Sequence, residues 1–232
     1  MASQPQQISH EARHRELVDQ LAGELKPVRR LWPIGVRLTF WLLLEVLLFA
    51  WMATHTTNNF IAKAHHPAYF IQVLAFVIAA TMVGAMALRA AIPGRRVGRA
   101  ELAIAILMVV GGLALLMTEP IRTGYPLRDF ITAGLRCAEH TVLFAVLPWA
   151  ALWWAVRRGA PTHGTAAGAL IGAAALLFSF AVMRLGCRID EPLHLIIWHL
   201  MPAVIVVVAS TLAGSWWLRL RRSRRHPLRR AS

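Results

Sequence analysis

Apolar residues gather into six long stretches of this 232-residue chain, near residues 35–53, 68–88, 102–118, 141–156, 165–183 and 193–218. About 20 residues at 1.5 Å each cross the hydrocarbon core of a bilayer, so runs of this length read as transmembrane helices. The fourth stretch, and to a lesser degree the third, is short and has to borrow residues from its flanks. The pattern predicts an all-α protein: a polytopic bundle of six transmembrane helices over residues 35–218. An arm (residues 1–34) precedes the bundle and a basic tail (residues 219–232) follows it.

The arm carries its own periodicity. Leu17, Leu21 and Leu25 recur at i, i+4 and i+8, with Val18 widening the stripe, while Glu16, Asp19, Gln20 and Glu24 lie off it. The spacing predicts a short amphipathic helix over residues 9–26, with Ser9 as N-cap and Pro27 at its end. A lone helix of this length is marginal in water, so the stripe needs a partner. That partner is either the membrane surface and neighbouring loops or another protein that takes the helix in a groove.

Charge orients the bundle. The arm, the second and fourth interhelical loops and the tail hold 19 of the 25 lysines and arginines, counting Arg37 at the mouth of the first span. The remaining loops hold six. Positive loops stay inside, so both termini are expected in the cytoplasm. The formal net charge of +14 is concentrated in those segments, where topology and anionic headgroups account for it without direct nucleic-acid binding. The N-terminus is polar and shows no signal peptide, and the first apolar run is long enough to remain as a span.

The chain has two cysteines, Cys137 and Cys187. On this topology both lie in loops on the outer side, in an oxidising compartment if the host has a periplasm. They are fifty residues apart with no CxxC, which does not support a quinone-coupled thiol oxidase. A structural disulfide and a reversible sensing pair both fit. A metal site could gather Cys137, His140, Cys187 and His194 at one membrane level, since thiolates and imidazoles suit soft or borderline metals. Otherwise no cofactor is expected. Inside the spans, Glu45 and His199 are the costly groups, and intramembrane ionisable residues are functional candidates by default. Their similar depth makes a contact geometrically feasible, which would suit a small-solute or ion transporter. No GxSxG, HExxH or P-loop pattern is present, so no enzymatic activity or small-molecule substrate is expected. Pro93-Gly94 reads as a turn pair, and Gly164, Gly168 and Gly172 form a small-residue stripe suited to close helix packing within the bundle.

Four segments carry a family resemblance: the arm from Leu17 to Val28, the turn Ile92-Pro93-Gly94-Arg95-Arg96, Arg158-Gly159-Ala160-Pro161, and Cys187…Asp190-Glu191-Pro192-Leu193-His194…Trp198-His199…Pro202. Together they resemble the NrsF family of bacterial six-span anti-sigma factors, over nearly the whole chain from about residue 16 to 218. The resemblance implies an inner-membrane protein whose cytoplasmic face holds an extracytoplasmic-function sigma factor inactive. It gives the arm residues Leu17, Val18, Asp19, Leu21, Leu25, Pro27 and Val28 a partner. It also implies that Cys137 and Cys187 sense metal or oxidative stress.

Overall fold

The computed structural model describes residues 4–23, 30–56, 61, 63, 65–95, 97–119 and 126–225. The chain divides into two units, residues 1–31 and 32–232. Among its described residues the first has one helix, α1 (Gln4–Gly23). Expected from Ser9 to Lys26, it begins instead at Gln4, so Ser9 lies inside the helix rather than capping it. Leu17, Val18 and Leu21 are all about half exposed. Leu25, Pro27 and Val28 lie outside the described residues.

The second unit is an antiparallel bundle. Its helices are α2 (Ile34–His55), α3 (Pro67–Ala90), α4 (Arg99–Leu116), α5 (Leu127–Arg157) and α6 (Gly164–Gly186). The last span joins α7 (Pro192–Leu195), a π-helical turn (Ile196–Leu200) and α8 (Met201–Arg225). These make six spans long and apolar enough to cross a bilayer, and the chain is a multi-pass membrane protein. Side chains such as Leu47, Leu107, Leu143 and Ile205 point outward, as a lipid-facing surface requires.

Helix α6 runs through the centre and is buried on nearly every face. Lipid tails are as apolar as leucine, so close packing rather than the hydrophobic effect holds membrane helices together. The glycine stripe supplies that closeness. A Cβ on Gly168 would lie 2.3 Å from the Ser210 carbonyl oxygen, and one on Gly164 only 2.2 Å from that of Gly214. The stripe therefore packs α6 against α8. Ser210 locks the contact by donating to the Gly168 carbonyl (2.6 Å) and accepting from the Trp149 indole (2.9 Å).

One end of the bundle gathers the basic loops. Pro93-Gly94 makes the expected turn, with Gly94 at φ +80° and the Arg95 amide bonded to the Ile92 carbonyl (3.2 Å). The Ala160 amide donates to the Ala91 carbonyl (2.9 Å), joining the two basic loops. Arg221 of α8 reaches the carbonyls of Gly159 (3.4 Å) and Arg157 (3.2 Å). Arg89 pairs with Glu101 across the α3–α4 turn. The opposite end carries both cysteines.

Helix α5 departs most from the sequence pattern. Its apolar run was expected over residues 141–156, but the helix begins at Leu127 and has 31 residues. At 1.5 Å each that is about 46 Å, well beyond the roughly 30 Å of hydrocarbon. Cys137 is therefore not in a loop. It sits on α5, ten residues past the start of the helix.

A buried thiol–imidazole site at one end of the bundle

The site is assembled from three chain segments. Helix α5 supplies Cys137, Cys187 follows the end of α6, and the last span supplies His194 and His199. Trp198 sets the distance between α5 and the last span: a Cβ on Gly134 would fall 2.1 Å from its ring, so only glycine lets the indole lie against α5. Gly134 is one turn before Cys137, and this contact brings the Cys137 thiol to the last span. Phe130 closes the site from above, with its ring 6.0 Å from that of His194 and 5.9 Å from that of Trp198.

The two sulfurs lie 3.9 Å apart, about twice the length of a disulfide bond. Cys187 Sγ is 3.7 Å from His194 Nε2 and 3.3 Å from the Ile189 carbonyl oxygen. His194 and His199 stand with ring centroids 5.5 Å apart. One donor atom from each of Cys137, Cys187, His194 and His199 falls within 4.8 Å of the other three. Both histidines are fully buried.

Thr141 determines which His199 nitrogen is free. Its hydroxyl donates to the Cys137 carbonyl (2.8 Å), so toward His199 it acts as acceptor, 3.1 Å from Nδ1. His199 then carries its proton on Nδ1, and Nε2 is left as a buried lone pair with no hydrogen-bond partner. A ring nitrogen oriented from behind in this way is the usual arrangement of a metal-ligating histidine. His194 Nδ1 is likewise buried without a partner. Ser179 of α6 donates to the Thr141 carbonyl (2.5 Å), extending the support into the centre of the bundle.

A charged network holds the Cys187 turn in place. Lys63 donates to the Cys187 carbonyl (2.5 Å) and to Asp190 (2.7 Å). Arg184 is buried between Asp190 (2.7 Å) and Gln72 (2.8 Å). Tyr69 lies beneath both cations, its ring centroid 5.1 Å from the Arg184 guanidinium and 5.6 Å from Lys63 Nζ, and donates to the Arg184 carbonyl (3.0 Å). Burial lowers the pKa of Lys63, opposed by its bond to Asp190. The neighbouring Cys137 sulfur and burial raise that of the Cys187 thiol.

Two sequence expectations are corrected here. His140 does not join the cluster: it lies on the exposed side of α5, with Nδ1 2.7 Å from the Arg136 carbonyl. His199, expected as an intramembrane polar residue at a depth similar to that of Glu45, takes its place. Glu45 and His199 do not bond either. His199 turns to Thr141, and neither Glu45 oxygen has a hydrogen-bond partner.

The sequence reading missed Thr141, Lys63, Arg184, Gln72 and Tyr69. Arg184 and Gln72 carried a usable signal, since polar side chains within apolar spans are rarely idle. The π-turn had one as well: Pro202 has no N–H for the Trp198 carbonyl, and a widened turn just upstream relieves that mismatch.

The family model for the negative regulator of sigma F, NrsF, matches residues 21–220, most of the chain. The chain belongs to the NrsF family. It is therefore a negative regulator of a sigma factor, in a family of regulators rather than enzymes. The match takes in both cysteines, both site histidines and the two joined basic loops. Comparison with curated proteins and with solved structures finds no match.

Proposed function

We propose that this NrsF-family protein is an inner-membrane anti-sigma factor with its basic end and both termini in the cytoplasm. There it holds an extracytoplasmic-function sigma factor inactive. The thiol–imidazole site faces the periplasm and senses the signal. The carrying observation is the cluster itself: four soft or borderline donors from three chain segments, two of them buried imidazoles with an unused nitrogen. This donor set suits a thiophilic metal ion, which Cys137, Cys187, His194 and His199 would hold. A thiol oxidant such as a peroxide is the other stimulus. It would take two electrons and two protons from the pair and join the sulfurs.

Metal binding would draw α5, the end of α6 and the last span together at one end, and oxidation would draw α5 to the end of α6. Helices α5 and α8 run on to the opposite end, where Arg221 is bonded to the α5–α6 loop and that loop to Ala91. A change in helix packing at the sensor can thus reach the cytoplasmic loops, provided that two packings lie close in energy.

The sigma factor is held by the arm. Leu17, Val18 and Leu21 are exposed, and with Asp19, Leu25, Pro27 and Val28 they form the proposed contact. The decisive test is co-purification from detergent-solubilised membranes. Wild type should bring down a sigma factor, and Leu21→Asp should lose it while inserting normally. Each leucine is worth roughly 1.5–3 kcal/mol of apolar burial, and the charge adds a desolvation cost. Unchanged binding by Leu17→Asp and Leu21→Asp would move the contact to the basic loops.

A further inference from the structure

Glu45 lies midway along α2 and plays no part in the thiol site. It borders a cavity of about 400 Å³, together with Trp41, Phe49, Val77, Thr81 and Phe178. The residue is only 4% exposed, and neither carboxyl oxygen has a hydrogen-bond partner. Burying such a group in an apolar span is costly unless something bonds to it. The other polar groups here are largely committed. The Trp41 indole donates to the Pro148 carbonyl (3.2 Å) and the Thr81 hydroxyl to the Val77 carbonyl (2.9 Å). What remains is the Glu45 carboxyl, which in its neutral form offers one donor and one acceptor, and the lone pairs of Thr81.

We propose that this cavity binds a lipid-soluble quinone, with the ring inside and the isoprenoid tail in the bilayer. An acyl chain could fill the space but offers nothing to the carboxyl. A metal ion would need several oxygen ligands, and among the lining side chains only Glu45 and Thr81 carry oxygen. A quinone carbonyl accepts from the carboxyl, and its flat ring suits the faces of Trp41, Phe49 and Phe178. The ring can enter sideways from the lipid, because Val46 and Ala50 at the rim are exposed. The cavity and the sensor share helix α6. Phe178 lines the cavity, and the next residue, Ser179, supports Thr141.

The test uses full-length protein in phosphatidylcholine nanodiscs, with an azido-quinone as photoreactive probe and the labelled peptides mapped by mass spectrometry. Saturable labelling of α2, α3 or α6 is expected, displaced by a quinone lacking the azide. Glu45→Leu should weaken it by about tenfold, the value of one hydrogen bond. Glu45→Gln keeps a donor and an acceptor and should retain it. Ala50→Trp, a change at an exposed rim position that leaves the core intact, should block it. Labelling that does not saturate, or that survives both Glu45→Leu and Ala50→Trp, overturns the proposal. Equal displacement by a fatty alcohol of matched length also overturns it, making the cavity a lipid site.

Discussion

Thr141 Oγ1 lies 3.1 Å from Nδ1 of His199 and donates its own hydrogen bond to the Cys137 carbonyl. This pair joins α5 to the π-turn of the last span and leaves His199 Nε2 facing the thiols. Because Thr141 bonds to the backbone of one thiol residue and the ring of one histidine, it couples the two halves of the site by hydrogen bonds.

Thr141→Val should keep the shape and lose the coupling. Supporting hydrogen bonds behind a metal-ligating histidine are worth about 10–100-fold in affinity. Competition with a chromophoric chelator in detergent should show zinc or cadmium bound weaker by that amount. An unchanged affinity would remove His199 from the ligand set.

The cysteines distinguish a sensor from a brace. If Cys137 and Cys187 only brace the fold, replacing both with serine should lower abundance and free the sigma factor without a stimulus. As a sensor, the double variant should accumulate normally and keep the sigma factor bound, yet fail to release it under oxidant or thiophilic metal. Transcription from a sigma-dependent promoter and protein abundance, each with and without stimulus, decide between them. A variant that is abundant and still fully inducible sinks the sensor reading.

The pH dependence of Cys187 labelling has a definite sign. Its thiol is held above the ordinary cysteine range by the Cys137 sulfur and by burial, so it stays protonated at neutral pH. Only the thiolate reacts. Alkylation mapped to the Cys187 peptide should be slow at neutral pH and reach half-maximal rate at a higher pH than a free cysteine peptide. A midpoint below that of the peptide would mean that nearby cations dominate the field.

Topology follows from the basic loops. Reporter fusions after Arg96, Gly159 and Arg222 should read cytoplasm, and those after Lys63, Gly124 and Arg188 should read periplasm. An external signal from the Arg222 fusion would reverse the proposed side of the thiol site.

Helix packing gives the clearest stability contrast. Gly168→Val drives a side chain into the Ser210 backbone and should cost at least about 1–3 kcal/mol, as overpacking does. Gly111, on the lipid-facing side of α4, has nothing within 4 Å of a would-be Cβ. Gly111→Ala should be neutral or slightly stabilising, since alanine favours helix. Thermal unfolding in detergent reads both, and equal effects would contradict the close α6–α8 contact.

The sequence by itself determined the fold class and span number, because a bilayer forces about 20 apolar residues into each helix and leaves a pattern no other architecture produces. It also marked the Pro93-Gly94 turn, the glycine stripe, Cys137, His140, Cys187 and His194 as a possible metal set, and Glu45 and His199 as intramembrane candidates. Tertiary structure decided which of them meet. Helix α5 extends ten residues before Cys137 through a stretch interrupted by Arg128, Asp129 and Arg136, which a search for unbroken apolar runs leaves out; on this helix His140 is exposed and Cys137 meets the last span. The π-turn, Ile196–Leu200, lies just upstream of Pro202 and changes the face presented by His199. Sequence spacing assumes regular turns and says nothing about which helices are neighbours. The Lys63–Asp190–Arg184–Gln72 network joins positions from four separate segments, and only the packed bundle brings them within bonding distance.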